Sequence, residues 1–237
     1  MRLTVVMPGS SDHLDLVRDE CEQWTGDDTK LEVVAADDAG SVASRYEMAM
    51  ACPAVLAQVT RAADAGADGV FIACAGDPGV HAAREKVDIP VMGGFQPALL
   101  TALSLGHRVG VISVLSSVLP LFHELIRHEG LGDRCSSVRA IDTPELSLHD
   151  RDTLVDHLYT QASQMVTAGE ADALVLGCTG FLGVAGLLQD RLASQGPYVP
   201  VVDPTGAALL ALQSAVRLGL RSSRTTYAPP PTMTWHR

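Results

Sequence analysis

Two cysteines stand at matching places in two similar segments of this chain. Residues 67–76 read ADGVFIACAG and residues 171–180 read ADALVLGCTG, so Cys74 and Cys178 each follow a short apolar run and precede a small residue and a glycine. Nearly half of the 237 residues separate the two cysteines, and a repeat of that length has the size of a domain. If the two halves face each other, two thiols meet across one cleft.

A pair of thiols is suited to inverting the configuration of a carbon acid. One thiolate removes the α-proton, and the thiol on the opposite side donates a proton to the other face, so the reaction needs no cofactor. Parallel sheets bind their ligands at the carboxyl ends of the strands, where Cys74 and Cys178 are predicted to lie. Backbone amides and a helix dipole stabilise a thiolate there, so we expect a thiol of reference pKa about 8.5 to act as a base close to neutral pH.

The anionic intermediate of such a reaction needs hydrogen-bond donors for its oxygens. Four residues after the cysteines could supply backbone amides, and one of them a hydroxyl: Ala75, Gly76, Thr179 and Gly180. The loop Pro8–Ser11 could bind an anion through its own amides, or it could be a simple turn.

The remaining cysteines and histidines show no comparable pattern. Cys21, Cys52 and Cys135 have no matched partner and are expected to be small buried hydrophobic residues. Of the eight scattered histidines, His13 and His81 follow predicted cleft loops and are the two that could reach the site. The chain has no CxxC motif and no Cys/His cluster, so no metal site is predicted.

Strands alternate with helices in both halves of the chain. The apolar pattern predicts strands at 3–7, 31–36, 70–73, 91–92, 109–114, 174–177 and 201–202, and helices at 53–65, 119–129, 153–168 and 206–218. The segment 2–7 is echoed by 108–113, and 89–92 by 199–202. Such alternation forms parallel sheets. We therefore predict an α/β fold with two pseudo-symmetric lobes, each a short, mostly parallel sheet flanked by helices, and an active site in the cleft between them.

The repeat divides the chain into two lobes and a tail. We expect the first lobe to comprise residues 1–97 together with 204–220, because the last helix packs back on it, and the second lobe to comprise residues 98–203. Residues 221–237 include three consecutive prolines, have no periodicity and are expected to be flexible, although Trp235 could anchor to a partner subunit.

Composition excludes several classes of function. The net charge of −11 argues against nucleic acid as a partner, because binding to phosphates leaves a basic footprint. No apolar run reaches the roughly 18 residues of a membrane span, and the start lacks a secretory signal, so we expect a cytoplasmic protein with reduced cysteines. The expected partners are a small-molecule substrate and further copies of the chain in a homo-oligomer, without nucleic acid or membrane.

Several motifs resemble the aspartate/glutamate racemase superfamily, and most closely its hydantoin racemase branch, which includes allantoin racemase-like proteins. The matching segments are 74–79 (CAGDPG), 176–180 (LGCTG), 44–53 and 105–108, within a resemblance that spans about residues 1–218. The resemblance implies a cofactor-independent racemase or epimerase with Cys74 and Cys178 as the catalytic pair. Four further residues are expected to contact the substrate: Gly9, Ser10, Ser44 and Ser113.

The chain departs from that branch at positions that bear on the substrate. Gly9 stands where asparagine is common, Ala43 where a glutamate usually precedes the serine, and Val114 where paired threonines are common. Gly180 replaces the histidine that often follows the second cysteine motif in glutamate racemases, which argues against a plain glutamate racemase.

We expect a 5-substituted hydantoin or related ureide as the substrate. Three alternatives stay open: an amino-acid racemase, a maleate-type isomerase, and a small-molecule binding protein. Arylmalonate decarboxylation is less favoured, because both cysteines are present and that enzyme type is expected to keep one.

Overall fold

The computed structural model of the chain describes residues 1–36, 42–143 and 150–231. The predicted anchor Trp235 lies outside the described residues.

Within these ranges, eight strands form two parallel sheets. The strands are β1 (Arg2–Pro8), β2 (Lys30–Ala36), β3 (Gly69–Ile72), β4 (Val91–Met92), β5 (Val109–Ser113), β6 (Ser137–Ala140), β7 (Ala173–Leu176) and β8 (Val201–Val202). The first sheet has the order β2-β1-β3-β4, and the second has the equivalent order β6-β5-β7-β8. All neighbouring strands in both sheets run parallel.

In the part of the chain that the structure describes, eight α-helices surround these sheets. They are α1 (Leu14–Glu22), α2 (Arg45–Asp64), α3 (Val80–Lys86), α4 (Phe95–Leu105), α5 (Leu119–His128), α6 (Arg151–Thr167), α7 (Ala185–Gln195) and α8 (Pro204–Arg217). Within the described ranges, no helix has both the length and the apolar character to span a membrane.

Helices cover both faces of the first sheet. Every residue of β3 is buried, as expected of a parallel strand enclosed on two sides. Val70 and Ile72 pack towards α2 and α3, whereas Phe71 packs towards α1 and α8. Period-two alternation sends successive side chains to opposite faces, so an all-apolar run is what such a strand requires.

The second sheet is enclosed in the same way. Leu174 and Leu176 of β7 pack towards α6 and α7, and Ala173 and Val175 pack towards α4 and α5. The predicted fold class, two pseudo-symmetric α/β lobes with parallel sheets flanked by helices, is confirmed.

Two helices cross between the lobes. α4 follows the last strand of the first sheet but packs on the second, and α8 follows the last strand of the second sheet but packs on the first. The two helices also contact each other. The domain limits given above stay a prediction, and α8 lies against the first sheet.

Some elements escape the apolar pattern. The ranges given above include neither β6 nor the helices α1, α3, α4 and α7; α3 is short and follows Gly79 at φ 73°, and β6 consists of four half-buried residues. α2 begins at Arg45 rather than at Pro53, which lies inside the helix. A proline is best tolerated in the first turn of a helix, and for that reason the sequence favours the later start.

The described part of the tail lies on the first lobe. Arg224 donates hydrogen bonds to the carbonyls of Arg84, Glu85 and Val87 and pairs with the carboxylate of Asp88. The flexibility expected of residues 221–237 therefore stays a prediction, and in the described part these bonds oppose it.

Candidate active site

Cys74 and Cys178 occupy equivalent positions and line one cavity. Each stands two residues after a central strand, Cys74 after β3 and Cys178 after β7. The cavity has a volume of about 350 Å³ and lies at the carboxyl ends of β1, β3, β5 and β7, so both lobes contribute to its wall. The structure thus brings together the two thiols that the sequence separates by nearly half of the chain.

Each sulfur receives a backbone amide from its own turn. The amide of Gly76 donates to the Sγ of Cys74 at 3.4 Å, and the amide of Gly180 donates to the Sγ of Cys178 at 3.2 Å. Glycine suits the first position, because a Cβ at residue 76 would lie 2.3 Å from the Cε of Met48. Both amides favour the thiolate over the thiol.

Burial outweighs this stabilisation at Cys74. The pKa of its thiol is raised to about 12, chiefly by removal from water and also by the nearby Cys178 and Asp77, while the Gly76 amide lowers it. The expectation of a pKa near neutrality is therefore wrong for Cys74. The sequence shows the helix ends and small residues near the thiol but not how deeply the fold encloses it.

Five of the predicted substrate contacts lie in the wall of the cavity: Ala75, Gly76, Ser113, Thr179 and Gly180. Among the described residues, Gly9, Ser10 and Ser44 lie outside the wall, beside the lining residues Pro8 and Ala43. Ser10 accepts a hydrogen bond from the amide of Asp12, and Ser44 caps α2 by accepting from the amide of Glu47. These bonds give both serines a local structural role.

Two hydroxyls of the wall are committed to backbone carbonyls. Thr179 donates to the carbonyl of Ala73 at 3.0 Å, and Ser113 donates to the carbonyl of Gly177 at 3.2 Å. The sequence suggests that the Thr179 hydroxyl donates to a substrate oxygen. In the structure it donates to Ala73 instead, and this hydrogen bond joins the second cysteine loop to the first lobe.

Three polar residues of the wall are not identified by the sequence: Glu20, Arg151 and Thr205. Glu20 is buried and accepts a hydrogen bond from the indole of Trp24, whereas Arg151 begins α6 in the other lobe. A single charged residue on a helix normally indicates a solvated face, so no local signal distinguishes Glu20 and Arg151.

The two histidines considered from the sequence lie in different places. His13 lines the cavity. The ring of His81 instead lies 5.9 Å from that of Tyr227 and 4.8 Å from that of His128, centroid to centroid. Only His13 is therefore placed to face a ligand in this cavity.

Large apolar side chains make up most of the rest of the wall. They are Met7, Leu16, Val17, Val42, Met48, Val114, Leu115, Val118, Leu121, Phe122 and Leu182. Ala43 and Val114, two positions where the chain departs from the hydantoin racemase branch, are in the wall. Within the described ranges, no group of three or more His, Cys, Asp or Glu side chains could hold a metal ion.

Comparison with known proteins identifies the family of this chain. Residues 5–212 match the family model described as Asp/Glu/Hydantoin racemase. This chain belongs to the Asp/Glu/hydantoin racemase family. The hydantoin racemase of Rhizobium meliloti is 33% identical over 196 residues, which cover 82% of this chain and 79% of the relative. The hydantoin racemase of Paenarthrobacter aurescens is 30% identical over 236 residues, 98% of each chain.

Solved structures give the same result. The allantoin racemase from Pseudomonas fluorescens superimposes with a TM-score of 0.91 at 29% identity and covers 100% of both chains. The family expected from the two cysteine motifs is confirmed, and the chain is a racemase, an isomerase.

Proposed function

We propose that this racemase inverts a 5-substituted hydantoin or a related cyclic ureide, without a cofactor, by moving protons between Cys74 and Cys178. The observation that carries the proposal is the pair of thiols in one cavity, in equivalent turns from different lobes, each with a backbone amide directed at its sulfur. The relatives and the structural neighbour, named hydantoin racemases and allantoin racemase, support the substrate class.

The reaction starts with one thiolate and one thiol. The thiolate of Cys74 takes the proton from the ring carbon that bears the substituent, and the electron pair of the broken C–H bond moves into the adjacent carbonyl. Cys178 then donates its proton to the opposite face of that carbon and becomes the thiolate. The opposite enantiomer reacts by the same steps in reverse order. The amides of Gly76 and Gly180 stabilise whichever sulfur carries the charge.

The raised pKa of Cys74 has two consequences for this step. Each pKa unit corresponds to about 1.4 kcal/mol, so ionising Cys74 at neutral pH costs several kcal/mol. The thiolate, once formed, is a correspondingly stronger base, which is what a weak carbon acid requires. An ionised Cys178 raises the pKa of Cys74, so ionising both thiols together is disfavoured.

The polar groups of the wall suit a ureide ring. Such a ring has N–H donors and carbonyl acceptors, and the cavity offers a carboxylate acceptor, Glu20, from one lobe and a guanidinium donor, Arg151, from the other. The apolar side chains leave room for a hydrocarbon substituent on the ring carbon. A volume of about 350 Å³ is within the usual range for small-molecule sites.

Proton NMR in deuterium oxide tests the proposal. The α-proton signal is followed for 5-substituted hydantoins, allantoin, aspartate and glutamate, with the wild type, Cys74→Ser and Cys178→Ser. We expect exchange from the cyclic ureides, and a fall of about 10²–10⁴-fold in either serine variant, since each loses one acid–base group. Ligand affinity, measured by calorimetry, should change little.

Cys135→Ala is the matched control, because Cys135 is a buried cysteine packed between helices and the second sheet, outside the cavity wall. It should exchange at the wild-type rate. Exchange from aspartate or glutamate alone would replace the ureide by a free amino acid, and full exchange in both serine variants would exclude the two-thiol mechanism. The cytoplasmic location and the homo-oligomer expected from the sequence stay predictions.

A further inference from the structure

The turns that carry the two cysteines, CAGDPG at 74–79 and CTGFLG at 178–183, differ at three positions, and the third residue after each cysteine is one of them. The carbonyl of Cys74 accepts a hydrogen bond from the amide of Asp77 at 3.2 Å, and the carbonyl of Cys178 accepts from the amide of Phe181 at 3.3 Å. Each turn thus closes with the same backbone hydrogen bond, but the residue that donates it is an aspartate after the first cysteine and a fully buried phenylalanine after the second. The duplication therefore does not make the two thiols equivalent.

The carboxylate of Asp77 is directed at the start of α4. Its Oδ1 accepts a hydrogen bond from the amide of Phe95 at 3.1 Å. A Cβ at Gly93 would lie 2.2 Å from this oxygen, so only glycine permits the approach. Asp77 itself has φ 51°, a left-handed conformation that is uncommon for residues other than glycine. The left-handed conformation of Asp77 therefore occurs together with the hydrogen bond that its carboxylate accepts from α4.

Further bonds join the Cys74 turn, the start of α4 and the second cysteine loop. The carbonyl of Cys74 also accepts from the amide of Gly94 at 3.3 Å. A Cβ at Gly94 would lie 3.2 Å from the Cγ2 of Thr179, whose hydroxyl donates to the carbonyl of Ala73. Thr179, the residue that follows Cys178, thus packs against Gly94, and the next residue, Phe95, donates its amide to Asp77.

The charge of Asp77 acts on Cys74. Burial of the carboxyl raises the pKa of Asp77 to about 7, opposed by the Phe95 amide and by Arg84 of α3, and the ionised carboxylate in turn raises the pKa of Cys74. Among the described residues, four other titratable or charged groups line the same cavity as Cys74: His13, Glu20, Arg151 and Cys178.

We propose that Asp77 is a positioning residue that holds Cys74 in register with Cys178 through the start of α4 and makes the reactivity of Cys74, but not that of Cys178, depend on the charge of one carboxylate. The catalytic meaning of this role rests on the function proposed above. The rate at which the thiols are alkylated does not depend on that function, so alkylation provides a test that is independent of turnover.

Alkylation by iodoacetamide is measured for Cys74 and Cys178 separately, by mass spectrometry of the two peptides, between pH 5.5 and pH 9. In the wild type the logarithm of the Cys74 rate should rise with pH and flatten near pH 7, where the ionising Asp77 opposes the thiolate. Asp77→Asn keeps an acceptor for the Phe95 amide but has no charge. It should remove the flattening and raise the Cys74 rate at pH 8 by about threefold to tenfold, with Cys178 unchanged.

Two control variants isolate the charge of Asp77. Asp203→Asn removes another carboxylate of raised pKa that caps a helix, but the charge of Asp203 acts on Cys21. His81→Gln removes the histidine nearest in sequence to the Cys74 turn. Both should keep the wild-type alkylation profile of Cys74. The proposal is overturned if the wild-type rate shows no flattening, if Asp77→Asn keeps the wild-type profile, or if Asp203→Asn changes it equally.

Racemisation separates positioning from charge. Asp77→Ala loses the acceptor for Phe95 and should lower kcat with little change in KM, and Asp77→Asn should restore most of kcat while keeping the altered pH profile. Equal kcat in the wild type and Asp77→Ala would contradict the positioning role. If the alkylation profiles are as expected but no ureide is racemised, the proposed function fails and the effect of Asp77 on Cys74 stands.

Discussion

At the residue scale, three side chains near the cavity share a property, because burial raises the pKa of each. It raises the pKa of Cys74 to about 12, that of Asp77 to about 7 and that of Asp203 to about 6. Each of the three accepts a hydrogen bond from a backbone amide that opposes the shift. Strongly perturbed groups concentrate at functional sites, and here two of the three lie in the turn of the first cysteine.

Asp203 yields a prediction about stability and pH. Its Oδ1 accepts from the amide of Gly206 and caps α8. A carboxyl whose folded pKa is raised is less stable ionised in the folded than in the unfolded protein, so its contribution is lost as pH rises from about 3.8 to about 6. Asparagine caps a helix as well as aspartate does. Asp203→Asn should match the wild type at pH 4 and exceed it by about 1–3 kcal/mol at pH 7.5 in urea unfolding.

The cap of α6 is the control for this experiment. Asp150 accepts hydrogen bonds from the amide and the hydroxyl of Thr153, which lower its pKa. A carboxyl whose pKa is lower in the folded than in the unfolded protein stabilises the fold at pH values above its unfolded pKa. Asp150→Asn should therefore be less stable than the wild type at pH 7.5. Equal effects of pH on both variants would show that burial of Asp203 does not govern its contribution.

At the element scale, the start of α8 packs closely on the segment that follows α1. A Cβ at Gly206, in the first turn of α8, would lie 2.7 Å from the Cε2 of Trp24. The indole of Trp24 therefore lies directly against the backbone of α8. A glycine at such a position serves packing rather than an unusual backbone conformation.

Gly206→Ala should therefore destabilise the protein by about 1–3 kcal/mol, because Trp24 must move. Gly186 lies in the first turn of α7, where a Cβ would meet nothing within 4 Å. Gly186→Ala should be neutral or stabilising by up to about 1 kcal/mol, since alanine favours a helix. Thermal unfolding of both variants gives the comparison, and a loss of stability of equal size in both would contradict the packing argument.

At the scale of the whole molecule, contacts from distant parts of the chain hold the lobes and the tail together. Arg45 of α2 forms an ion pair with Glu124 of α5, and Ser117 donates to the carbonyl of Ala43 at 3.0 Å. Both contacts join the first lobe to the second. Arg224 likewise holds the segment after α8 on the carbonyl groups at the end of α3.

Arg224→Ala should release this segment. The loss of the hydrogen bonds to the carbonyls of Arg84, Glu85 and Val87 weakens the attachment of this segment, so chymotrypsin should cleave after Tyr227 faster, with racemase activity unchanged. Arg221→Ala is the control, because Arg221 lies 3.9 Å from Asp88 and has a weaker ion pair. Digestion followed by mass spectrometry measures both. Equal cleavage of the wild type and Arg224→Ala would show that other contacts retain the tail.

The amino-acid sequence by itself determined the duplicated α/β architecture and the two cysteines of the site. These features are local, because an apolar run, a cysteine and a glycine stand next to each other and the pattern occurs twice. Only the tertiary structure decided which polar groups line the cavity, which hydrogen bonds they form and how their pKa values are shifted. Glu20 and Arg151 reach the wall from different lobes, the Thr179 hydroxyl donates to Ala73, and burial rather than a helix dipole dominates the pKa of Cys74. Each of these properties depends on contacts between residues far apart in the chain and on the exclusion of water, which no local pattern encodes.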